Sequence, residues 1–388
     1  MRTLLLTPDF PPRRGGVARY LEAVASALKE EVTVYAPPEP DAAAFDASAP
    51  YRVVRTPLLS RFVRPRWLRA LVLLWRRRER DGRVIVSHVL PFGTAAWIAG
   101  WFTGKPYVVI VHGMDVGLAR RSPWKRWLAG AVLRGAASVI ANSHALKDEV
   151  RAAWGVERVA FVHPAVAMKG EGLEGREGRV SSAGVRIQEP GVRIQEPAPI
   201  GRRPFVRLLT VARLVPRKGH LRVLEALARL RERGELPDGV DYLIVGDGPM
   251  KEAIERRAVE LGVDDVVRFR HGAADEALPD IYRSSDVFVM PTVAGQADRE
   301  GFGIVYLEAA AYGLPSVATR QPGVDEAVLD GRTGLLVPDG DAEALAQALL
   351  RLSTDAELRR TLGSAGQARV REEFTRGRQA EKLRRLLT

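Results

Sequence analysis

The chain has 388 residues, of which 46% are hydrophobic and 27% charged; this is the composition of a folded globular protein and is enough for about two domains. It contains no cysteine, which excludes disulfide bonds, thiol catalysis and zinc sites built on cysteine. The net charge of +12 arises in residues 1–165, where 25 Lys and Arg stand against 13 Asp and Glu, while the rest of the chain has 34 of each.

This charge asymmetry predicts that the N-terminal half meets an anionic partner: nucleic acid, a phosphorylated substrate or a membrane surface. A basic face that is merely solvated is the alternative. No run of about 18 uncharged apolar residues is present, so no segment is expected to span a bilayer. The N-terminal sequence MRTLLLTPDFPP has too short an apolar run for a secretory signal. We expect a cytoplasmic protein, either free or peripheral on the inner face of the cell membrane.

The N-terminal half alternates short apolar runs, rich in β-branched residues, with segments of helical periodicity such as VARYLEAVASALKE (17–30). Runs that are apolar throughout and alternate with helices indicate a parallel sheet covered on both faces. The predicted strands of this half are 2–7, 31–36, 83–88, 107–113, 138–143 and 159–163.

The alternation stops at residues 169–204, which are rich in Gly, Glu, Arg and Pro. This segment contains the heptapeptide GVRIQEP twice in succession, at 184–190 and 191–197. Two copies are too few for a repeat architecture. The segment is therefore predicted to be an extended or disordered insertion between two domains.

A second alternation of strands and helices follows the insertion. We therefore predict an α/β fold with two doubly wound, Rossmann-like domains, residues 1–168 and 205–371, joined by the 169–204 linker. The C-terminal helix, near 372–388, is expected to pack back on the first domain. Two such domains leave a cleft between the carboxyl ends of their sheets, where ligands bind. The predicted strands of the second domain are 205–212, 242–248, 266–272, 286–291, 315–320 and 334–338.

The segment DREGFGIVYLEAAAYGLP (298–315) carries the strongest functional signal. A helix is predicted to begin near Gly303, and the unpaired N–H groups of its first turn would form an anion site. Gly301 and Gly303 would let a ligand approach the backbone closely. Glu300 could accept hydrogen bonds from hydroxyls and Glu308 could bind a vicinal diol, which together with a diphosphate describes a nucleotide sugar. An acidic helix start that only complements the helix dipole is the alternative.

Three further segments place polar residues at predicted strand ends. Arg213 and Lys218, in RLVPRKG, could stabilise a departing diphosphate, although a solvated basic loop would look the same. Gly15 and Gly16 precede a helix and could hold a phosphate, but they do not form the G-x-G-x-x-G pattern of dinucleotide sites. His112 ends an apolar strand at the mouth of the cleft, which favours a functional over a structural role.

Taken together, these segments resemble the retaining glycosyltransferases of family four, which have the GT-B fold. That family has two glutamates eight positions apart, and Glu300 and Glu308 match them. The resemblance covers nearly the whole chain except the insertion. Most similar are the bacterial phosphatidylinositol-mannoside mannosyltransferases, through DFPPR-GG---YL, RLVPRKG and EG-GIVYLEA. One departure is HPAVAM (163–168), which replaces the N-G-V-D-like turn that often precedes the linker.

The resemblance implies a role for each matched residue. Glu300 would contact hydroxyls of the donor sugar, and Glu308 would bind the ribose diol. Arg213 and Lys218 would neutralise the diphosphate, and His112 would touch the transferred sugar near the reacting carbon. The other contacts to the nucleotide sugar would come from Gly15, Gly16, Arg270, Gly301, Phe302, Gly303 and Ile304.

The resemblance also implies front-face displacement, in which the leaving phosphate oxygen helps to take the acceptor proton. Such a reaction needs no metal and no other cofactor. We therefore predict a retaining glycosyltransferase that moves a hexose, best assigned as mannose from GDP-mannose, to a glycolipid or a polyol-phosphate acceptor. One alternative is a GT-B transferase that uses UDP-glucose or UDP-N-acetylglucosamine on a soluble or polysaccharide acceptor. The other is a basic nucleic-acid-binding protein, although no nucleic acid is expected as a partner if the resemblance holds.

The segment RFVRPRWLRALVLLWRRRER (61–80) contains eight arginines and one glutamate. On a helix from about Pro65, one face is predicted to contain Trp67, Leu68, Leu71, Leu74 and Trp75, with the arginines at both ends and off that face. Interfacial helices have this mixture of Trp, Leu and Arg. RRSPWKRWLAG (120–130) has similar content. We predict that the N-terminal domain docks on an anionic membrane surface; an ordinary amphipathic helix packed on the sheet is the alternative.

Overall fold

The computed structural model describes residues 3–13, 15–60, 64–76, 82–166, 206–272, 277–293 and 300–387. The predicted insertion with its tandem GVRIQEP lies outside these residues. In the described part of the chain, no helix combines the length and the apolar character needed to cross a membrane.

The N-terminal half forms a sheet of seven strands, all parallel, in the order β3-β2-β1-β4-β5-β6-β7. The six predicted strands are all present. The edge strand β3 was missed, because RVVR is short and has an arginine at each end. The strands are β1 Thr3–Leu6, β2 Val32–Ala36, β3 Arg52–Arg55, β4 Arg83–Ser87, β5 Tyr107–Val111, β6 Ser138–Ala141 and β7 Val159–Phe161.

Helices cover both faces of this sheet, as expected for strands that are apolar throughout. In β1, Leu4 and Leu6 pack into one core cluster and Leu5 into another, and all three are fully buried. The helices of this half are α1 Gly16–Leu28, α2 Ala42–Ser48, α3 Leu68–Arg76, α4 Thr94–Thr103, α5 Met114–Arg120, α6 Pro123–Gly135 and α7 His144–Trp154.

The second half forms a parallel sheet of six strands in the order β10-β9-β8-β11-β12-β13. Its strands are β8 Val206–Val211, β9 Val240–Val245, β10 Val267–Arg270, β11 Val287–Met290, β12 Ser316–Thr319 and β13 Gly334–Val337. Its helices are α8 His220–Glu232, α9 Lys251–Glu260, α10 Leu278–Arg283, α11 Ile304–Ala311, α12 Val324–Ala327, α13 Ala342–Thr354 and α14 Ala356–Glu373. The expected architecture of two doubly wound domains is confirmed.

The last helix, α15 Arg376–Leu387, packs against α1 of the first domain. Its buried Leu383 and Leu387 belong to the same apolar cluster as Tyr20 and Leu21 of α1. The chain therefore crosses back to the first domain at its C-terminal end.

Candidate functional site

The predicted site residues of the two domains meet at the carboxyl ends of the two sheets. A Cβ atom added to Gly16, at the start of α1, would lie 3.2 Å from Cγ2 of Ile304, at the start of α11. A Cβ added to Gly113, after β5, would lie 3.3 Å from the Cα of Gly301. The two domains therefore approach each other closely at these glycines, with the backbone of Gly113 near that of Gly301 and Gly16 near the Ile304 side chain.

Glu300 lies between two cations that come from the loop after β8. Its Oε2 accepts hydrogen bonds from Nζ of Lys218 at 2.5 Å and from an Arg217 guanidinium nitrogen at 2.8 Å. Burial alone would raise the pKa of Glu300, but the charges and hydrogen bonds of Lys218 and Arg217 outweigh it and lower the pKa to about 2. Glu300 is therefore a fixed anion, and Lys218 is a buried cation held beside it.

The loop from Gly301 to Ile304 turns sharply into α11. Gly303 has φ +81°, and a Cβ there would lie 2.5 Å from the Tyr306 ring, so only glycine fits. The Phe302 ring is buried against His163, at 5.2 Å between centroids, and against Phe374 at 5.9 Å. Only the backbone of Phe302 can therefore meet a ligand; its side chain anchors the loop in the core.

Glu308 lies on α11 and is nearly buried. Its Oε1 forms an ion pair with Arg19 of α1, across the cleft, and its Oε2 accepts a hydrogen bond of 3.1 Å from the Tyr282 hydroxyl. The carboxylate that was predicted to bind a ribose diol thus has a cation of the other domain as its partner. A ribose that binds both oxygens of Glu308 would have to displace Arg19.

His112 lies at the end of β5 and is enclosed by the first domain. Its Nε2 is 3.0 Å from the Ser87 hydroxyl, and its ring meets that of Tyr20 edge-on at 5.7 Å between centroids. Burial, and then the neighbouring His88, lower the pKa of His112 to about 3, although Asp115 acts in the opposite direction. His112 is therefore a neutral imidazole, suited to hydrogen bonding rather than to charge pairing.

Three other predicted site residues have no hydrogen bond or ion pair with Glu300, Glu308 or His112 among the described residues. Arg213 is exposed on the loop after β8 and has no ion pair among the described residues. Arg270 ends β10 and is half-buried, with its carbonyl accepting the N–H of Gly246 at 3.2 Å. Gly15, at φ +147°, adopts a conformation that favours glycine just before α1. The roles of all three remain predictions.

Two arrangements of the described residues could suggest a metal site. The ligand atoms of His144, His163 and Glu326 lie within 4.8 Å of one another, but Glu326 already accepts the backbone N–H groups of residues 144 and 145 and bonds His163. The sequence Asp339-Gly340-Asp341 is an Asp-x-Asp motif, yet Asp339 pairs with Arg222 and the other aspartate caps α13. These carboxylates therefore serve structural contacts.

The site contains residues that the sequence did not single out. Arg217 could have been found from its position beside Lys218 in the same loop. Arg19, Ser87 and Tyr282 gave no local signal, because each meets its partner only through the packing of distant strands and helices.

Comparison with known proteins assigns both halves of the chain. Residues 14–169 match the family model described as Glycosyltransferase Family 4, and residues 201–369 match the model described as Glycosyl transferases group 1. A GDP-mannose-dependent alpha-(1-6)-phosphatidylinositol monomannoside mannosyltransferase of Mycolicibacterium smegmatis is 34% identical over 373 residues, covering 94% of this chain and 92% of that protein. A protein of the same name from Mycobacterium tuberculosis is 33% identical over 401 residues, covering 98% of this chain and 97% of that protein.

Solved structures agree on the fold. The crystal structure of Anabaena Alr3699/HepE in complex with UDP-glucose has a TM-score of 0.78 at 18% identity and covers 100% of this chain and 99% of that one. At this identity the likeness shows the fold alone. The expected family is confirmed by the relatives, and the expected architecture by this match.

Proposed function

Because this chain belongs to the GT-B glycosyltransferases, with a family 4 N-terminal domain and a group 1 C-terminal domain, we propose that it transfers mannose from GDP-mannose to a phosphoinositol-type glycolipid, with retention at the reacting carbon. The relatives named above support the donor and the acceptor, since they are 33% to 34% identical over nearly their whole length.

One observation of the site carries the proposal. Glu300 and Glu308 flank the start of α11, where Glu300 lies beside Lys218 and Glu308 faces α1 of the other domain. A nucleotide sugar has a diol at one end, a diphosphate in the middle and a sugar at the other. The site offers Glu308 for the diol, the α11 start with Lys218 and Arg217 for the diphosphate, and Glu300 for the sugar.

The chemistry follows from the charges of this site. As the bond between the sugar and the diphosphate breaks, negative charge grows on the leaving oxygen. Lys218 and Arg217, already held in place by Glu300, would stabilise that charge with little reorganisation. Neutral His112 can form a hydrogen bond with a sugar hydroxyl. Because it carries no charge, it would not repel the positive charge that develops on the sugar.

The acceptor is proposed to reach the cleft from an anionic membrane surface. Large apolar side chains of the first domain are exposed on three neighbouring helices, of which α3 packs on α4 and α4 on α6. Lipid would cover these side chains, and the net charge of +12 in residues 1–165 complements anionic headgroups. The exposed side chains are Leu68, Val72, Trp75, Trp101, Phe102, Trp124 and Trp127.

Thermal unfolding with a panel of nucleotide sugars tests the donor. GDP-mannose and GDP are expected to stabilise the protein, by about 2.7 kcal/mol at 100 times the dissociation constant, and UDP-glucose and UDP-N-acetylglucosamine much less. A shift with the UDP sugars alone would favour the UDP-dependent alternative. The nucleic-acid-binding alternative requires instead tight, salt-dependent binding of DNA or RNA and no shift with any nucleotide sugar.

A matched pair of variants assigns the two ends of the donor. Glu308→Gln should lose most of the shift with GDP and with GDP-mannose, because both ligands contain the ribose diol. Glu300→Gln should keep the GDP shift and lose transfer activity, while the exposed Glu343→Gln serves as the control. The reverse order for the two glutamates would mean that the sugar and ribose ends are exchanged.

A further inference from the structure

We infer that Asp9, His88 and Ser87 act together as positioning residues that fix the tautomer of His112, so that His112 presents a hydrogen-bond acceptor to the transferred sugar. The inference about the sugar rests on the proposed function; the inference about the tautomer does not.

The four side chains form a chain along the carboxyl ends of three neighbouring strands. The buried Ser87 hydroxyl, at the end of β4, lies 2.9 Å from Nδ1 of His88 and 3.0 Å from Nε2 of His112. The other nitrogen of His88, Nε2, lies 3.6 Å from a carboxylate oxygen of Asp9, on the loop after β1. One hydroxyl thus connects the two imidazoles, and one carboxylate ends the chain.

His88 adopts an unusual backbone to reach this place. Its φ is 77° and its ψ is 134°, a region that residues with a side chain rarely occupy. Two backbone hydrogen bonds hold this conformation. The N–H of His88 donates to the carbonyl of Ile110 at 3.0 Å, and the N–H of Gly93 donates to the carbonyl of His88 at 3.3 Å. Strain of this kind is retained where the surrounding structure enforces it, and it is concentrated at functional sites. Here it places the His88 ring between Asp9 and Ser87.

The Ser87 hydroxyl has only one proton, so it can satisfy both rings in two ways. Either it donates to His88 Nδ1 and accepts from a His112 Nε2–H, or it accepts from a His88 Nδ1–H and donates to His112 Nε2. The state of His88 therefore dictates the tautomer of His112. Which nitrogen of an imidazole carries the proton is set by the partner of the other nitrogen.

Asp9 decides between the two arrangements. Its carboxylate favours a proton on the facing Nε2 of His88, which leaves Nδ1 of a neutral His88 as an acceptor. Asp9 also pairs with Arg13, at 3.1 Å. The nearby Asp115 is occupied by the N–H groups of residues 112 and 89. Ser87 therefore donates to His88, and His112 carries its proton on Nε2.

The Nδ1 atom of His112 is then an acceptor. It has no hydrogen-bond partner within the described part of the chain, and the ring is neutral because its pKa is lowered to about 3, first by burial. A hexose offers hydroxyl donors, so this lone pair can accept one of them. With the opposite tautomer, an N–H would face that hydroxyl and could bond only its oxygen.

Spectra of the protein labelled with ¹⁵N-histidine measure the tautomer directly, without any ligand. The chain has six histidines, so a His112→Gln variant assigns the signals. We expect Nε2–H on His112 in the unaltered protein. Asp9→Asn should shift the population toward Nδ1–H on His112, because the neutral amide can either donate to or accept from His88 Nε2 and no longer favours a proton there. Ser87→Ala should leave a mixture of tautomers, and Asp46→Asn, at a carboxylate paired with Arg55, and Ser285→Ala should change nothing.

A proton on Nδ1 of His112 in the unaltered protein would overturn the inference. So would an unchanged tautomer in both Asp9→Asn and Ser87→Ala. In transfer assays, Asp9→Asn should lower kcat about tenfold or more, as for a lost hydrogen bond, with nearly unchanged GDP binding. If the tautomer moves as expected but the protein uses no nucleotide sugar, the proposed function fails and the positioning role stands. If the protein transfers mannose but the tautomer does not move in either variant, the positioning role fails and the proposed function stands.

Discussion

At the scale of single residues, the site contains charged side chains that pair with one another. Glu300 is kept ionised by Lys218 and Arg217, and Glu308 is held by Arg19. A buried charge without a partner is costly, so each of these carboxylates is stabilised by its cation. The ion pairs of Glu300 also hold in place Lys218 and Arg217, the groups that are proposed to bind the diphosphate. We expect the donor to replace some of these partners when it binds.

Lys218 is predicted to be the main cation for the leaving diphosphate. Its ammonium is buried and fixed by Glu300, so it is already oriented when charge develops on the leaving oxygen. Lys218→Ala should therefore lower turnover by about two to three powers of ten, the range of a lost transition-state donor. Steady-state kinetics with saturating donor measures this loss.

The control for this prediction is Arg222→Ala, which removes a cation of the neighbouring α8 that pairs with Asp339 outside the site. Circular dichroism should show that both variants are folded. Turnover unchanged in a folded Lys218→Ala variant would remove Lys218 from the mechanism and leave Arg217 and the start of α11 as the diphosphate contacts.

At the scale of elements, the apolar face of helix α3 was predicted from the sequence, but only the fold shows which of its residues are buried. Trp67, Leu68, Leu71, Leu74 and Trp75 were expected on one apolar face. In the structure Leu74 is buried in the core and Trp67 packs against it, while Trp75 is 52% exposed. The helix thus anchors itself on the domain and still presents apolar side chains outward. The basic run that follows, including Arg77 and Arg78, lies outside the described residues.

Vesicle sedimentation tests the proposed membrane surface. Binding to phosphatidylglycerol vesicles should exceed binding to phosphatidylcholine vesicles and should fall with salt. Replacing the exposed Arg66 and Arg69 by Ser should weaken it by about 2 kcal/mol, since each Arg near an anionic surface contributes about 1 kcal/mol. Trp101→Ser with Phe102→Ser should weaken binding to both lipids, because these side chains are 67% and 74% exposed and free to enter the interface.

Val259→Ser is the matched control, because Val259 is 65% exposed but lies on α9 of the second domain. It should bind vesicles like the unaltered protein. Equal and negligible sedimentation with both lipids would exclude membrane docking and favour a soluble acceptor.

At the scale of the whole molecule, the C-terminal segment and Glu326 join the two domains. The α15 helix packs on α1, and the N–H of Val166 donates to the carbonyl of Phe374 at 3.0 Å. Glu326 of the second domain caps the start of α7 and bonds His163 of the first. The two domains are therefore in contact through helix packing and through hydrogen bonds.

The C-terminal helix α15 is predicted to stabilise the first domain. Leu383 of α15 is fully buried in the cluster of α1, so Leu383→Ala should lower the free energy of unfolding by about 2 to 5 kcal/mol. Arg385→Ala on the exposed face of the same helix should change it by no more than about 0.5 kcal/mol. Urea unfolding measures both. Equal effects of the two substitutions would show that α15 contributes little to that domain.

Local sequence patterns were sufficient to predict the buried parallel strands and the helix start with its two carboxylates. Runs of apolar residues predicted parallel strands buried on both faces, because burial on both faces removes the alternation of polar and apolar residues. Glu300, Gly303 and Glu308 lie within one strand–loop–helix segment, so their spacing alone predicted a carboxylate on each side of a helix start. Only the tertiary structure decided which distant groups these residues meet: Arg19 for Glu308, Arg217 and Lys218 for Glu300, and Ser87 for His112. The periodicity of apolar residues indicates whether a face is buried, because it follows from the geometry of one strand or helix. The partner of a buried side chain depends instead on how elements distant in the sequence pack together, which no local pattern predicts.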